Sequence, residues 1–367
     1  MKNTSIKKYL TSAVFIIISL TFLSACNAQK EAVGREDVIY VVADSMEFYH
    51  LEADLLAVFG KVIYTPQAEN LFNLKRIGVS KLKKYKRKKN ILIVAPLNSG
   101  SYTSKYINSI LDSTVKNLVE TDSEYVFNKH NLWAKNQLVM ILTSSDINKL
   151  KANILKGSDN LLYQFQDISN KRLFSKLYNP RYERKKIEAK FLKDYGWIIY
   201  VQADFVPAMD KPEDNFVWLR RAPNSSMERW IFVHWIDNAS PSFLKPDSIY
   251  KERNKITKKF YQTSDDKAYV QIADSYLTSK EVNFEGKYAI MTQGLWRTND
   301  HQMGGPFVNY TFYDAATKRI YMLDGSIFAP KYYKKQLIQQ VDVTLHSFKT
   351  KEEMSKDKVE DLLDELD

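Results

Sequence analysis

Arg297, Asp300 and His301 stand close together in Gly294–Phe307, a segment that also holds Asn299, Gly304, Gly305 and Pro306. A guanidinium, a carboxylate and an imidazole at that spacing can orient an anion or move a proton. Gly-Gly-Pro allows positive φ and then fixes φ, so it predicts a tight turn between two strands. The plainer reading is a structural turn in which Asp300 pairs Arg297. A second group is Phe216, Trp218, Arg220 and Arg221. Strand alternation places Phe216, Trp218 and Arg220 on one face. An arginine beside an indole can stack and still offer its forked donors to a carboxylate or phosphate. The plainer reading is an edge-strand arginine paired with a nearby acid. A third candidate is Trp133, ahead of a strand beginning near Gln137. It is either a plug at the strand entrance or a carbohydrate platform.

The strongest chemical signal is Cys26, the one cysteine of the chain. It follows Leu23, Ser24 and Ala25: an aliphatic residue and two small residues ahead of a thiol, the pattern of a lipobox whose cysteine is acylated. Residues 1–25 hold Lys2, Lys7 and Lys8 and no acid, then an apolar run from Ala13 to Leu23. A basic head and a short apolar middle make a secretory signal rather than a membrane span. Two or three acyl chains on the new N-terminus, at ~0.8 kcal/mol per buried methylene, hold a protein on a membrane. Neither HExxH, Gly-x-Ser-x-Gly, a phosphate-binding loop nor a dinucleotide fingerprint occurs, and His50, His130, His234, His301 and His346 are not paired at ligand spacing. No cofactor and no metal is expected.

These residues need elements to hold them. Hydrophobic residues at 44% and charged residues at 26% are globular values, so wholesale disorder is excluded. The formal charge is +11, and removal of the three signal lysines leaves +8. The densest basic run is Lys81–Lys89. An exported protein would turn it toward anionic lipid or glycan rather than nucleic acid, and a solvated helix end is the alternative. Strand patterns cover Val38–Asp44, Asn90–Leu97, Gln137–Ser145, Trp197–Phe205, Asn215–Arg221, Trp230–Asp237, Lys287–Arg297, Phe307–Asp314 and Lys318–Pro330. Helical periodicity joins Ile107, Ile110, Leu111 and Leu118; then Leu150, Ile154, Leu161, Phe165 and Ile168; then Leu337, Val341 and Leu345. The expected class is α+β, with antiparallel or mixed sheets and helices packed on one face. VIYVVAD at Val38–Asp44 and IIYVQAD at Ile198–Asp204 agree at five of seven positions. That echo suggests two duplicated halves, with a single irregular domain as the alternative.

The order NILIV (Asn90–Val94), W-A-K-x-Q-L-V (Trp133–Val139), F-x-W-L-R-R (Phe216–Arg221), G-L-W-R…D-H-Q-M-G-G-P-F (Gly294–Phe307) and D-G-S-I-F-A-P (Asp324–Pro330) resembles the Bacteroidetes lipoprotein family known as domain of unknown function 4837, over residues 37–349. One departure is Asn136, where the family often has proline. The resemblance implies export and anchoring, and no catalytic residue. The expected organisation is a signal at 1–25, a tether at 26–36, halves at 37–190 and 191–349, and a charged tail at 350–367, with tether and tail outside the packed core. The expected protein is a lipid-anchored envelope lipoprotein, palmitoylated at Cys26, on the outer membrane facing the periplasm. It would bind a ligand, an envelope protein, a glycan or anionic lipid through Arg297, Asp300, His301, Trp218, Arg220 or Trp133. The alternative is a glycan- or lipid-processing enzyme using the 294–307 loop.

Overall fold

The computed structural model describes residues 29–223, 225–263, 265 and 267–367. Cys26 and the signal lie outside the described residues. The class is α+β. The chain forms two compact units: residues up to Gly60 with Phe72–Ile168, and Lys61–Leu71 with Ser169–Asp367.

The first unit has a mixed sheet of β1 (Val38–Val42), β4 (Asn73–Ile77), β5 (Asn90–Val94), β6 (Val126–His130) and β7 (Leu138–Leu142), in the order β4-β1-β5-β7-β6. All neighbours run parallel except β6. Strands β5 and β7 are buried at every position. Side chains alternate between faces, so such strands need cover on both sides. Ile91, Ile93, Val139 and Ile141 meet Leu82 of α2 (Leu82–Tyr85), Ile107 of α3 (Tyr102–Ile110) and Val119 of α4 (Ser113–Glu120). Leu92, Val94, Met140 and Leu142, on the other face, are equally buried. Helices α1 (Ser45–Phe59) and α5 (Ile147–Lys156) pack on each other. Asp112 caps α4 by accepting the Val115 N–H at 2.8 Å, and Asp146 caps α5 by accepting those of Asn148 and Lys149 at 2.9 and 3.0 Å. The chain passes into the second unit within α6 (Ser158–Leu177).

The second unit is built on an antiparallel sheet of eight strands. They are β9 (Phe205–Lys211), β10 (Phe216–Arg221), β11 (Glu228–Ile236), β12 (Val270–Ile272), β13 (Thr278–Phe284), β14 (Lys287–Thr298), β15 (Gly304–Asp314) and β16 (Arg319–Phe328). The order is β12-β14-β15-β16-β11-β10-β9, and β13 also pairs with β14. On one face Val217, Leu219, Ile231, Val233 and Leu323 meet Phe191 of α7 (Lys185–Tyr195) and Leu337, Val341 and Leu345 of α9 (Lys335–Leu345). On the other, Phe216, Trp218, Phe232, Phe307 and Met322 meet Ile249, Ile256 and Phe260 of α8 (Pro246–Phe260). Helices therefore cover both faces, not one, because FVWL and WIFVHW offer apolar side chains to both. A hairpin of β2 (Val62–Tyr64) and β3 (Ala68–Asn70) also belongs to this unit.

Two expectations change here. The halves are not duplicates. VIYVVAD supplies β1, an inner strand parallel to both its neighbours, whereas IIYVQAD supplies only Ile198 to the short β8 (Trp197–Ile198), which pairs with β17 (Lys349–Thr350). Seven apolar-rich letters suit any buried extended segment; the partners decide its place. The tail also packs. Helix α10 (Lys356–Leu363) lays Leu362 against Ala189 and Leu192 of α7, with Val359, Leu363 and Leu366 alongside. Its acids hid an apolar stripe at three- and four-residue spacing. The described part of the tether is docked too: Glu31 and Val33 bridge to Lys135 and Lys88.

Candidate functional site

The Arg297 trio sits where β14 turns into β15. Thr298 donates its N–H to Met303 O at 2.9 Å, and His301 donates to Thr298 O at 3.0 Å. His301 takes the left-handed conformation, at φ 63°. Gly304 and Gly305 do not; both lie in β15. Gly305 is needed for close approach, since a Cβ there would lie 1.9 Å from Ile327 O. Asp300 does not pair with Arg297. A hydrogen bond from Thr298, then the Gln302 N–H at 3.1 Å, hold its carboxyl below the usual range. Arg297 Nη2 instead lies 3.4 Å from Asp274 Oδ2. Asp300 and His301 are exposed, and each member of the trio has its own surroundings.

Trp218 is buried on β10, its ring 4.4 Å from Tyr261 and 6.0 Å, edge-on, from Trp230. Arg220 stacks 5.1 Å from the Trp218 ring and donates twice to Glu228 Oε2, at 3.1 and 2.6 Å. Trp230 Nε1 donates to the same oxygen at 2.7 Å. The paired-arginine reading fits, although β10 is one strand in from the edge. Trp133 packs against the first unit's core beneath Lys86 Nζ, 5.8 Å from the ring, and its backbone N–H donates to Gln137 Oε1 at 3.0 Å. Asn136 beside it has φ 60°. A proline cannot adopt that angle.

The residues that the sequence reading missed lie under α8. Arg253 and Asp324 are wholly buried and joined by two hydrogen bonds, Nε to Oδ2 at 2.7 Å and Nη2 to Oδ1 at 3.2 Å. Arg253 Nη2 also donates to Ser326 Oγ at 3.2 Å, and Ser326 donates to Asp324 Oδ1 at 2.9 Å. Asn309 Nδ2 donates to Asp324 Oδ2 at 3.2 Å, and Asn309 Oδ1 accepts from the Thr311 hydroxyl at 2.8 Å. The guanidinium lies 3.7 Å from the Phe307 ring centroid. Arg253 Nη1 and the hydroxyl of Tyr261 find no protein partner among the described residues. Burial raises the Tyr261 phenol well above its ordinary range, so it stays a neutral donor. Two signals in the sequence could have found this network. Arg253 lies four residues after Ile249 and three before Ile256, on the apolar side of α8. Asp324 interrupts the apolar run of β16.

The comparisons with known proteins divide as the fold does. Residues 184–347 match the family model described as Domain of unknown function (DUF4837). This segment is similar to that family. The motifs at Phe216–Arg221, Gly294–Phe307 and Asp324–Pro330 all fall inside it. Residues 32–177 match a different model, Domain of unknown function (DUF8532), so the resemblance read over 37–349 holds for a shorter stretch. Trp133–Val139, with its Asn136, lies in that other region. No curated protein matches. Among solved structures, a mutant of the protein Mog1 aligns with TM-score 0.27 and 11% identity, over 42% of this chain and 90% of that one. The Saccharomyces cerevisiae Ran-binding protein Mog1p aligns with TM-score 0.27 and 10% identity over the same shares.

The whole Arg253–Asp324 network lies in the DUF4837 segment, and so do four of the six tyrosines exposed on its unit, Tyr276, Tyr288, Tyr332 and Tyr333. Tyr276 stacks on Tyr64 of the β2–β3 hairpin, with centroids 4.1 Å apart and planes at 13°. Both rings are about half exposed, and Tyr332 and Tyr333 are exposed directly before α9. The hairpin is fixed there by Glu69, which accepts the N–H groups of Lys334 and Lys335 at 2.7 and 3.2 Å. Among the described residues, no helix is long and apolar enough to cross a membrane, and no group of three His, Cys, Asp or Glu could hold a metal ion.

Proposed function

We propose that the protein is a lipid-anchored lipoprotein of a bacterial cell envelope, held through Cys26 on the outer membrane facing the periplasm, whose body binds a ligand or protein partner. The observation that carries the anchor is the lone thiol of the chain standing directly after Leu23, Ser24 and Ala25. The resemblance to a Bacteroidetes lipoprotein family agrees with that address. The binding part draws support from the stacked, exposed Tyr64 and Tyr276 with Tyr332 and Tyr333 on the same unit. Amphipathic rings of this kind supply contact area at low entropic cost. Cys26→Ala is expected to move the protein from the membrane to the soluble fraction with its fold intact; full retention on membranes overturns the anchor. Crosslinking of the lipidated protein in its native membrane tests the binding surface. A Tyr64→Ala/Tyr276→Ala variant should lose the crosslinked species, and an unchanged pattern overturns it.

A further inference from the structure

We infer that the basic end of the first unit's sheet is a membrane-apposed face, set against anionic phospholipid headgroups by the docked residues 29–33. The inference rests on the lipid anchor proposed above and adds an orientation to it.

Strands β1, β5 and β7 are parallel, so the segments entering them, 29–37, 81–89 and 131–137, meet at one end of the sheet. They are stitched together there. Ala32 donates its N–H to Lys135 O at 2.9 Å and Lys135 returns one to Lys30 O at 2.9 Å. Val33 donates to Arg87 O at 2.7 Å, Arg87 Nη2 donates to Glu31 O at 3.1 Å, and Gln29 Nε2 donates to Asn131 O at 2.7 Å. Residues 29–33 are therefore a bound strip beside the basic run. Cys26 is three residues from Gln29, a reach of about 10 Å at full extension. That is close to the Debye length of roughly 8 Å at physiological salt, the range over which headgroup charge is felt.

The charge at this end is one-sided. Glu31 lies 3.8 Å from Lys135, Glu36 pairs with Lys89, and Asp37 pairs with Arg35 at 2.6 Å. Lys81, Lys83, Lys84, Lys86 and Arg87 are exposed and in no ion pair among the described residues. A basic cluster beside a lipidated residue is the pattern that attracts anionic lipid.

The test adds the lipidated protein to preformed phosphatidylethanolamine vesicles with or without phosphatidylglycerol. A membrane-impermeant amine reagent then labels the lysines, read by mass spectrometry. Lys83, Lys84 and Lys86 should label severalfold more slowly on the phosphatidylglycerol vesicles, while Lys105, exposed at the opposite end of the sheet, is unchanged. Lys83→Glu/Arg87→Glu, both at exposed positions, should restore labelling at Lys84 and Lys86. Equal labelling on both vesicles overturns the apposed face while flotation with the vesicles leaves the anchor standing. Protein that does not float overturns the anchor, and the apposed face with it.

Discussion

Asp324 and Arg253 are inaccessible to solvent, so their worth depends on being kept together. Two charges taken out of water repay their desolvation only through each other and the hydrogen bonds around them. Asp324→Asn leaves the guanidinium without a counter-charge and is expected to cost about 3–5 kcal/mol in chemical denaturation. The double change Arg253→Met/Asp324→Leu should cost less than that single one. A single variant as stable as the parent would contradict the account. Glu188 works differently. Burial pushes its carboxyl up to about 8, although it accepts the Val201 N–H at 2.7 Å. The folded chain thus keeps a proton that the unfolded chain releases near the ordinary carboxylate value. Its contribution is full below that value and is lost as pH rises through about 8. Melts from pH 5 to 8.5 should fall for the parent and flatten for Glu188→Gln.

At the scale of elements, the strands explain the layers. A strand apolar on alternate positions needs one cover, while β5, β7, β10 and β11 need two. That is why α8 lies on the opposite side of the second sheet from α7 and α9. Helix α10 follows the same logic at the surface, where Leu362 closes over Ala189 and Leu192. Leu362→Asp is expected to cost about 2–3 kcal/mol, the value of a buried leucine. Ending the chain at Thr350 should cost at least as much. Unchanged denaturation midpoints would return this segment to the status of a solvated tail.

At the scale of the molecule, two compact units carry two different family matches. The chain crosses between them more than once, since Lys61–Leu71 interrupts the first unit and belongs to the second. That loan has a visible use. Lys334 precedes α9 without a side-chain cap of its own, and Glu69 accepts the N–H groups there instead. A cap is worth about 1 kcal/mol, or about fivefold in opening. Glu69→Ala should therefore speed amide exchange in the first turn of α9 by about that factor. The amides of β5 and β7, in the other unit, should keep their protection. Equal change in both units would overturn this division of labour.

Local chemistry was legible in the chain alone. Most strand positions, the facing of Phe216 and Trp218, and the lipobox pattern at Cys26 depend on neighbours a few residues away. What the chain did not disclose was long-range pairing. Arg253 reaches Asp324 across 71 residues, and Lys334 reaches Glu69 across 265. Arg297 turns to Asp274 rather than Asp300. VIYVVAD and IIYVQAD differ in fate because a strand's place is set by the strands beside it, which its own letters do not name. Tertiary structure alone decided those partners. A hydrogen bond or a buried charge constrains residues by distance in space, and sequence pattern reports only distance along the chain.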